Sequence, residues 1–502
     1  MGYICPAACL GKLRVKLARD AASIAASSVL PIAISIATVP LYISAIGVER
    51  YGALAIAWVF LGYFGNLDFG IGRAIAQRIS MLGSGCRVAI ARAVVSSLIT
   101  TAVFGILNAL VVFFAVRYFF ANVFEVNESL RPELIDSVWA LALCNPLVSL
   151  GGALAGALIG QERFGVVSIT NFVAGALMQI LPLVTAFVAG PELTGLIVAS
   201  LAARAVAVVV LTLEVWKRFL RRQVAAPSWD EFRRLTSFGA WVMVSAIVGP
   251  LMIVADRFVT GGILGAVAVA AYTIPFQMAS RMAILPGAVS EVLFPRFAAQ
   301  DAASSQDRCG QFSGFIGQIF APVVIGLICL SGPLLHLWLG ANLDQRSIGI
   351  AQIIFAGIWT NAVAQIPFSY IQARGGTRFT GLVHLAELPV YLLVLYFLAK
   401  AYGLPGISLA FSLRCALDCM IMLLRAGVAN RQLFARLGSQ VALIAGAIWL
   451  TYGSVDPVDC LVLGIALGFL SSLLLVFQMP PDLRERLLTG PIFSRYRRSS
   501  IT

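Results

Sequence analysis

From residue 21 onward the chain alternates between long apolar runs and short polar, mostly basic, breaks. A run of about 20 apolar residues is long enough to cross the hydrocarbon of a bilayer as a helix. Inside that layer a segment must satisfy its own backbone, so it is either a helix or part of a closed barrel. These runs lack the short alternating segments of barrel strands. The pattern predicts fourteen membrane-spanning helices, at 21–46, 52–71, 88–116, 134–160, 165–189, 193–216, 237–263, 266–295, 311–339, 347–373, 379–400, 404–425, 439–453 and 458–478. The thirteenth is the shortest.

Composition narrows the class. Of 502 residues, 60% are hydrophobic and 12% charged, against about 25% charged in soluble domains. That excludes an ordinary soluble enzyme, a disordered chain and a fibrous repeat. The net charge of +13 reports orientation rather than a nucleic-acid partner. Arg204, Arg257, Arg281 and Arg414 lie within spans, and Arg50, Arg117, Arg131, Arg346 and Lys400 in the loops of one side. Every other Lys and Arg, counting Arg92 and Arg425 at the ends of their spans, falls on the opposite side. Basic residues accumulate on the cytoplasmic face, so both termini are expected in the cytoplasm. The outer loops collect acids instead, such as Glu125, Glu128, Glu133 and Asp136. The run from Ala21 is too long for a signal peptide and reads as a retained first span. Nine scattered cysteines without a C-x-x-C suggest neither a disulfide framework nor a metal site, and no cofactor is expected.

No loop is long enough to fold as a soluble domain. The basic stretch 217–236 separates six spans from six, with two more at the end, and suits anionic lipid headgroups. Three regions follow: 1–225, 226–430 and 431–502. An even number of spans per half gives both halves the same orientation, as in parallel-repeat transporters. A shift of 218 residues sets Ser27 on Ser245, Gly47 on Gly265 and Ala53 on Ala271.

Polar groups inside spans carry the chemistry, because a charge at mid-bilayer costs about 2.5–3.5 kcal/mol. The first span bears a stripe on one helical face, Ser23, Ser27, Pro31, Ser35, Thr38 and Tyr42, with Pro31 as a hinge. It suits either a cavity wall or close helix packing. The second ends in Asn66, Asp68 and Arg73. Later spans add Arg204, Asp256, Arg281, Glu291, Asn361, Gln365, His384 and Glu387. Arg414 and Asp418, four apart, read as an intrahelical neutralised pair.

Three strings resemble a known family. YISAIGVERYGALAIAWVFLGYFGNLDFGIGRAIAQ, from Tyr42, is similar to the N-terminal signature of bacterial polysaccharide flippases of the Wzx type. DRFVTGGILGAVAVAAYTIPFQM, from Asp256, resembles the start of their second lobe. GLPGISLAFSLR, from Gly403, resembles their usual later motif. The resemblance covers residues 20–427. It implies the multidrug/oligosaccharidyl-lipid/polysaccharide (MOP) exporter superfamily, an all-α polytopic fold with two pseudo-symmetric six-helix lobes around a central cavity, here with two extra C-terminal helices. The implied activity is not enzymatic. It is the turning of an undecaprenyl-diphosphate-linked oligosaccharide from the cytoplasmic to the periplasmic leaflet of the inner membrane by alternating access. Arg73, Arg204 and Arg281 would neutralise the diphosphate, while Asn66, Asn361 and Gln365 replace water around the sugars. Asp68, Asp256, Glu291 and Glu387 are the candidates for a coupling ion, proton or sodium, and a polysaccharide polymerase is the implied protein partner. The rivals are a drug or cation antiporter and a peptidoglycan precursor flippase of the same superfamily. A membrane-embedded O-antigen ligase or polymerase is a weaker rival.

Overall fold

A computed structural model of the chain describes residues 34–65, 70–82, 86–221, 225–299 and 301–478. Among them all regular structure is helical, with no strand. The first repeat-sized group is α1 (Ile34–Ile46), α2 (Val48–Gly65), α3 (Ile71–Leu82), α4 (Arg87–Tyr118), α5 (Arg131–Ile159), α6 (Phe164–Val188) and α7 (Leu193–Val215). The second is α8 (Trp229–Ile263), α9 (Gly265–Met282), α10 (Ile284–Ala299), α11 (Ala302–Leu339), α12 (Arg346–Ala373), α13 (Thr377–Tyr402) and α14 (Leu404–Arg425). α15 (Arg431–Thr451) and α16 (Pro457–Gln478) complete the described helices.

Ten helices among the described residues, α4–α7 and α11–α16, are long and apolar enough to cross a membrane. Fourteen spans were predicted, so that count is not reached by this measure. The predicted spans 52–71 and 237–263 fall on α2 and α8, and part of 21–46 falls on α1. The eighth, 266–295, is divided. α9 stops at Met282 and α10 begins at Ile284. Pro286 has no N–H for the Met282 carbonyl and its ring crowds that oxygen, which breaks a continuous helix but is tolerated in the first turn of a new one.

The order of elements repeats. α4 and α11 begin at Arg87 and Ala302, and α5 and α12 at Arg131 and Arg346. Gly47, between α1 and α2, and Gly265, between α8 and α9, both take φ of 81°, a left-handed backbone that a side chain would strain. These are the glycines that the 218-residue shift superimposes.

By contacts the chain forms two compact units, Met1–Ala270 and Ala271–Thr502. α8 thus opens the second repeat in sequence yet packs with the first unit. Two sets of contacts hold it there. Near its start, the Ser228 amide donates to Ser96 Oγ at 3.0 Å, and Phe232 stacks between Trp229 and Phe104. Near its end, Phe258 packs on Phe60 and Phe119, and the Gly261 carbonyl accepts from the Glu125 amide at 3.0 Å.

Within the first unit α5 lies between α4 and α7. The helices approach closely enough that a Cβ on Gly156 of α5 would collide with the Gly72 carbonyl of α3. Within the second unit, 78% of the apolar window of α12 is buried against 17% for α16. α12 is therefore the central helix, and α16 lies at the rim. α15 and α16 dock on α11 through small and polar groups. Gly332 abuts the Ser454 carbonyl and Gln318 Nε2 donates to Gln478 Oε1 at 2.6 Å, while Ser471 Oγ of α16 donates to Gln440 Oε1 of α15 at 2.7 Å and joins the two helices to each other. Large apolar side chains such as Phe114, Phe187, Phe397 and Trp449 remain exposed, as expected of surfaces meeting acyl chains.

Gly156→Ala is expected to lower stability by about 1–3 kcal/mol, because backbone and not a flexible side chain must move. Gly62→Ala, with nothing within 4 Å of the added carbon, should leave stability unchanged or raise it by about 0.5–1 kcal/mol through reduced chain entropy. Thermal unfolding of both variants in detergent checks the contrast.

Candidate functional site

Many hydroxyls among the described residues are satisfied locally. Thr100 Oγ1 donates to the Ser96 carbonyl and Thr101 Oγ1 to the Ser97 carbonyl, each at 2.7 Å, and Ser200 Oγ to the Leu196 carbonyl at 3.1 Å. Such bonds complete the accounting for groups denied water. The described part of the first stripe is also engaged. Ser35, Thr38 and Tyr42 are buried, and Tyr42 Oη donates to the Gln179 carbonyl of α6 at 2.6 Å. That part packs against α6, the second of its two readings. Pro31, Asn66 and Asp68 lie outside the described residues.

Of the charges predicted in the first unit, Arg73 is exposed on α3. Arg204, on α7, is half-buried, and its Nε is enclosed without an acceptor. Asp256 is fully buried on α8, where Oδ1 accepts from the Arg257 amide at 2.7 Å and from Arg257 Nη1 at 3.4 Å. One strong pair was not anticipated. Arg78 of α3 grips Glu231 of α8 with both arms, Nε donating to Oε2 at 3.0 Å and Nη2 to Oε1. Glu231 is 7% exposed. The two residues are far apart in sequence, so no local spacing signals the pair.

In the second unit Arg281 ends α9 and Glu291 lies on α10, both exposed. Asn361 and Gln365 sit a turn apart on α12, with Gln365 Nε2 donating to Asn361 Oδ1 at 3.4 Å. Two serines tie this face to α10: Ser290 Oγ donates to the Gln365 carbonyl at 3.1 Å, and Ser369 Oγ to the Ser290 carbonyl at 3.2 Å.

A polar cluster joins α13 to α14. His384 and Glu387, three apart, share a face of α13, and Asp418 reaches them from α14. Their donor atoms all lie within 4.8 Å of one another. His384 Nε2 is 3.6 Å from Asp418 Oδ1, and the imidazole stacks on Phe368 of α12 with an interplanar angle of 11°. Glu387 is 6% exposed, and neither of its carboxylate oxygens has a hydrogen-bond partner. The expected Arg414–Asp418 ion pair is replaced. No contact within 4.0 Å joins the two, and the Arg414 guanidinium lies over the rings of Tyr391 and Phe411 at 5.4 and 5.5 Å. Aromatic faces attract a desolvated cation, so helical spacing alone misassigned Arg414. Asp418 is instead paired with His384, a partner on another helix.

A profile of the polysaccharide biosynthesis protein family matches residues 17–300, more than half of the chain. The chain belongs to that family. A Shigella flexneri protein named "Putative O-antigen transporter" is 28% identical to this family member over 396 residues, covering 78% of this chain and 93% of that protein. Among solved structures, one of the lipid II flippase MurJ, in an inward closed conformation, superimposes with a TM-score of 0.73 at 14% identity, over 92% of this chain and 99% of that one. A multidrug resistance MATE family transporter of the MOP superfamily gives 0.66 at 14% identity, over 82% and 96%. At such identity the two structures establish the fold alone. This member of the polysaccharide biosynthesis family is thus a multi-pass membrane protein with a MATE- and MurJ-like transporter fold.

The Arg78–Glu231 pair gives a direct test of how α8 is held. Removing one partner leaves a nearly buried charge unpaired, which costs about 3 kcal/mol or more. Arg78→Ala and Glu231→Ala should each lower the melting temperature in detergent. The exchange Arg78→Glu with Glu231→Arg should recover part of the loss, with a coupling energy of about 1–3 kcal/mol in a double-mutant cycle.

Proposed function

We propose that this chain is a flippase that moves an undecaprenyl-diphosphate-linked oligosaccharide from the cytoplasmic to the periplasmic leaflet for surface polysaccharide synthesis. The observation that carries the reading is the similarity to the Shigella protein over 93% of that protein's length, together with family membership. The chemistry suits the task. A diphosphate headgroup brings negative charge and many hydroxyls that hydrocarbon cannot solvate. Arg204 Nε, enclosed and without an acceptor, is a ready donor to a phosphate oxygen. Arg73 and Arg281, exposed as they are, supply further charge. Asn361 and Gln365 on α12 offer amides to sugar hydroxyls.

In this reading the protein works by alternating access and makes or breaks no covalent bond. The lobes are residues 1–225 and 226–430, with 431–502 as an accessory pair of helices and a basic tail. The protein sits in the bacterial inner membrane with both termini in the cytoplasm, and the polymerase of its pathway is its protein partner. Glu387 is the favoured coupling residue, taking up a proton or sodium, because its buried carboxylate has no other group to satisfy it. Asp256 is already bonded to Arg257, which makes it the weaker of the two buried candidates.

In a deletion strain complemented with the gene, Arg204→Gln and Arg281→Gln are each expected to lower surface polysaccharide at least tenfold while membrane levels of the protein stay normal. Lipid-linked oligosaccharide should accumulate on the cytoplasmic leaflet. Wild-type polysaccharide in either variant would remove that arginine from the substrate path. Failure of the deletion itself to trap lipid-linked sugar would overturn the flippase reading.

A further inference from the structure

We propose that His384, Glu387 and Asp418 form a binding site for a divalent transition-metal cation of the zinc class, bridging α13 to α14. The site deepens the coupling role assigned to Glu387 and rests on that reading only for its physiological consequence. Its existence stands on geometry.

Three observations converge. His384 and Glu387 project from the same face of α13, as i,i+3 residues must, and Asp418 faces them from the next helix. Ligands around a tetrahedral zinc, bonded at about 2.0–2.2 Å, stand about 3.3–3.6 Å apart. The His384 Nε2 to Asp418 Oδ1 separation of 3.6 Å already meets that spacing, and the remaining ligand atoms lie within 4.8 Å, a gap that a small side-chain rotation closes. The imidazole is held in plane by Phe368, which fixes the direction of its lone pair. Glu387 is buried with both oxygens unpartnered, and Asp418 Oδ1 is likewise enclosed without a hydrogen bond. A buried carboxylate left unmatched is costly, and a dication between the two would neutralise both.

The donor set selects the ion. One imidazole with two carboxylates suits zinc and its neighbours, whereas sodium, magnesium and calcium favour all-oxygen shells. His384 keeps 27% of its side chain exposed, so the cluster is not sealed. Arg414 is a cation close to this cluster, held on the rings of Tyr391 and Phe411 and donating from Nη2 to Cys415 Sγ at 3.5 Å. Its field weakens metal affinity, so the site is one for reversible occupation rather than a structural zinc. A bound dication ties α13 to α14 and holds Glu387 away from its coupling ion. Zinc is therefore an inhibitor of export.

The test uses the full chain, purified in detergent through a tag without histidine. The chain itself has only two histidines. Cobalt(II) is titrated and followed by its visible d–d absorption, then displaced with zinc. The expected result is one saturable cobalt per chain, displaced by zinc but not by magnesium, with no thiolate charge-transfer band. His384→Ala and Glu387→Gln should weaken binding by about tenfold or more, as loss of a ligand requires, with unchanged melting in the absence of metal. Arg414→Gln should tighten it. Absence of saturable binding, equal affinity in His384→Ala, displacement by magnesium, or a thiolate band implicating Cys415 or Cys419 would each overturn the proposal. None of these outcomes depends on whether the chain exports sugar.

Discussion

A polar group in hydrocarbon must find its partner inside the protein, and the whole structure follows from that demand. Helices answer it for the backbone. Serine and threonine answer it by bonding back to a carbonyl one turn earlier, as Thr100, Thr101 and Ser200 do. Longer side chains answer it between helices. Gln352 Nε2 of α12 donates to the Thr451 carbonyl of α15 at 2.8 Å, and Trp359 Nε1 to the Gly317 carbonyl of α11 at 2.8 Å. Against that background the groups that lack an answer stand out. Arg204 and Glu387 are among them, and they are a cation and an anion on helices of different units.

The same demand explains the glycines. Lipid gives no hydrophobic drive for helix association, so close packing must supply it. Gly156 against Gly72, and Gly332 against Ser454, let backbones meet where any side chain would intervene. Gly47 and Gly265 serve another purpose, turning the chain at corresponding points of two similar halves. That correspondence makes the placement of α8 informative. By element order it is the counterpart of α1, yet it packs with the first unit, through an aromatic group at one end and a bidentate ion pair at the other. The order of elements repeats, and side-chain chemistry decides with which neighbours each one packs.

Much of the fold is legible because its main signal, apolar length, is local. From the third span to the twelfth, apart from the divided eighth, helices lie near the predicted places and run beyond them by several residues where ends are amphipathic, as at Trp229 and Ala302. The divided eighth span was misread because apolarity continues straight through Pro286, and hydropathy does not register a missing N–H. Site residues were legible as types and illegible as partnerships. Among the charges picked out inside apolar runs, Arg204, Asp256 and Glu387 are buried or half-buried, whereas Arg281 and Glu291 are exposed. What each one touches depends on which helices meet. Arg414 rests on rings rather than on Asp418, and Asp418 turns to His384. Arg78 and Glu231 are ordinary polar positions in the sequence, and only the packing of α3 on α8 makes them a pair.

The location of the unanswered groups separates framework from working parts. α15 and α16 meet α11 and α12 through complementary amides and hydroxyls, Gln352 with Thr451 and Gln318 with Gln478, and meet each other through Gln440 and Ser471. Those contacts bind the accessory pair to the second unit as scaffold. α13 and α14 differ. They share a short connection at Gly403 and a cluster containing two acids, an imidazole and a guanidinium, yet few of those groups are matched to one another. In a cluster of that kind a single added charge changes the balance of the whole group. Rigid docking at the rim and incomplete pairing between α13 and α14 are what a helix bundle needs if one part is to hold its shape while another responds to an ion.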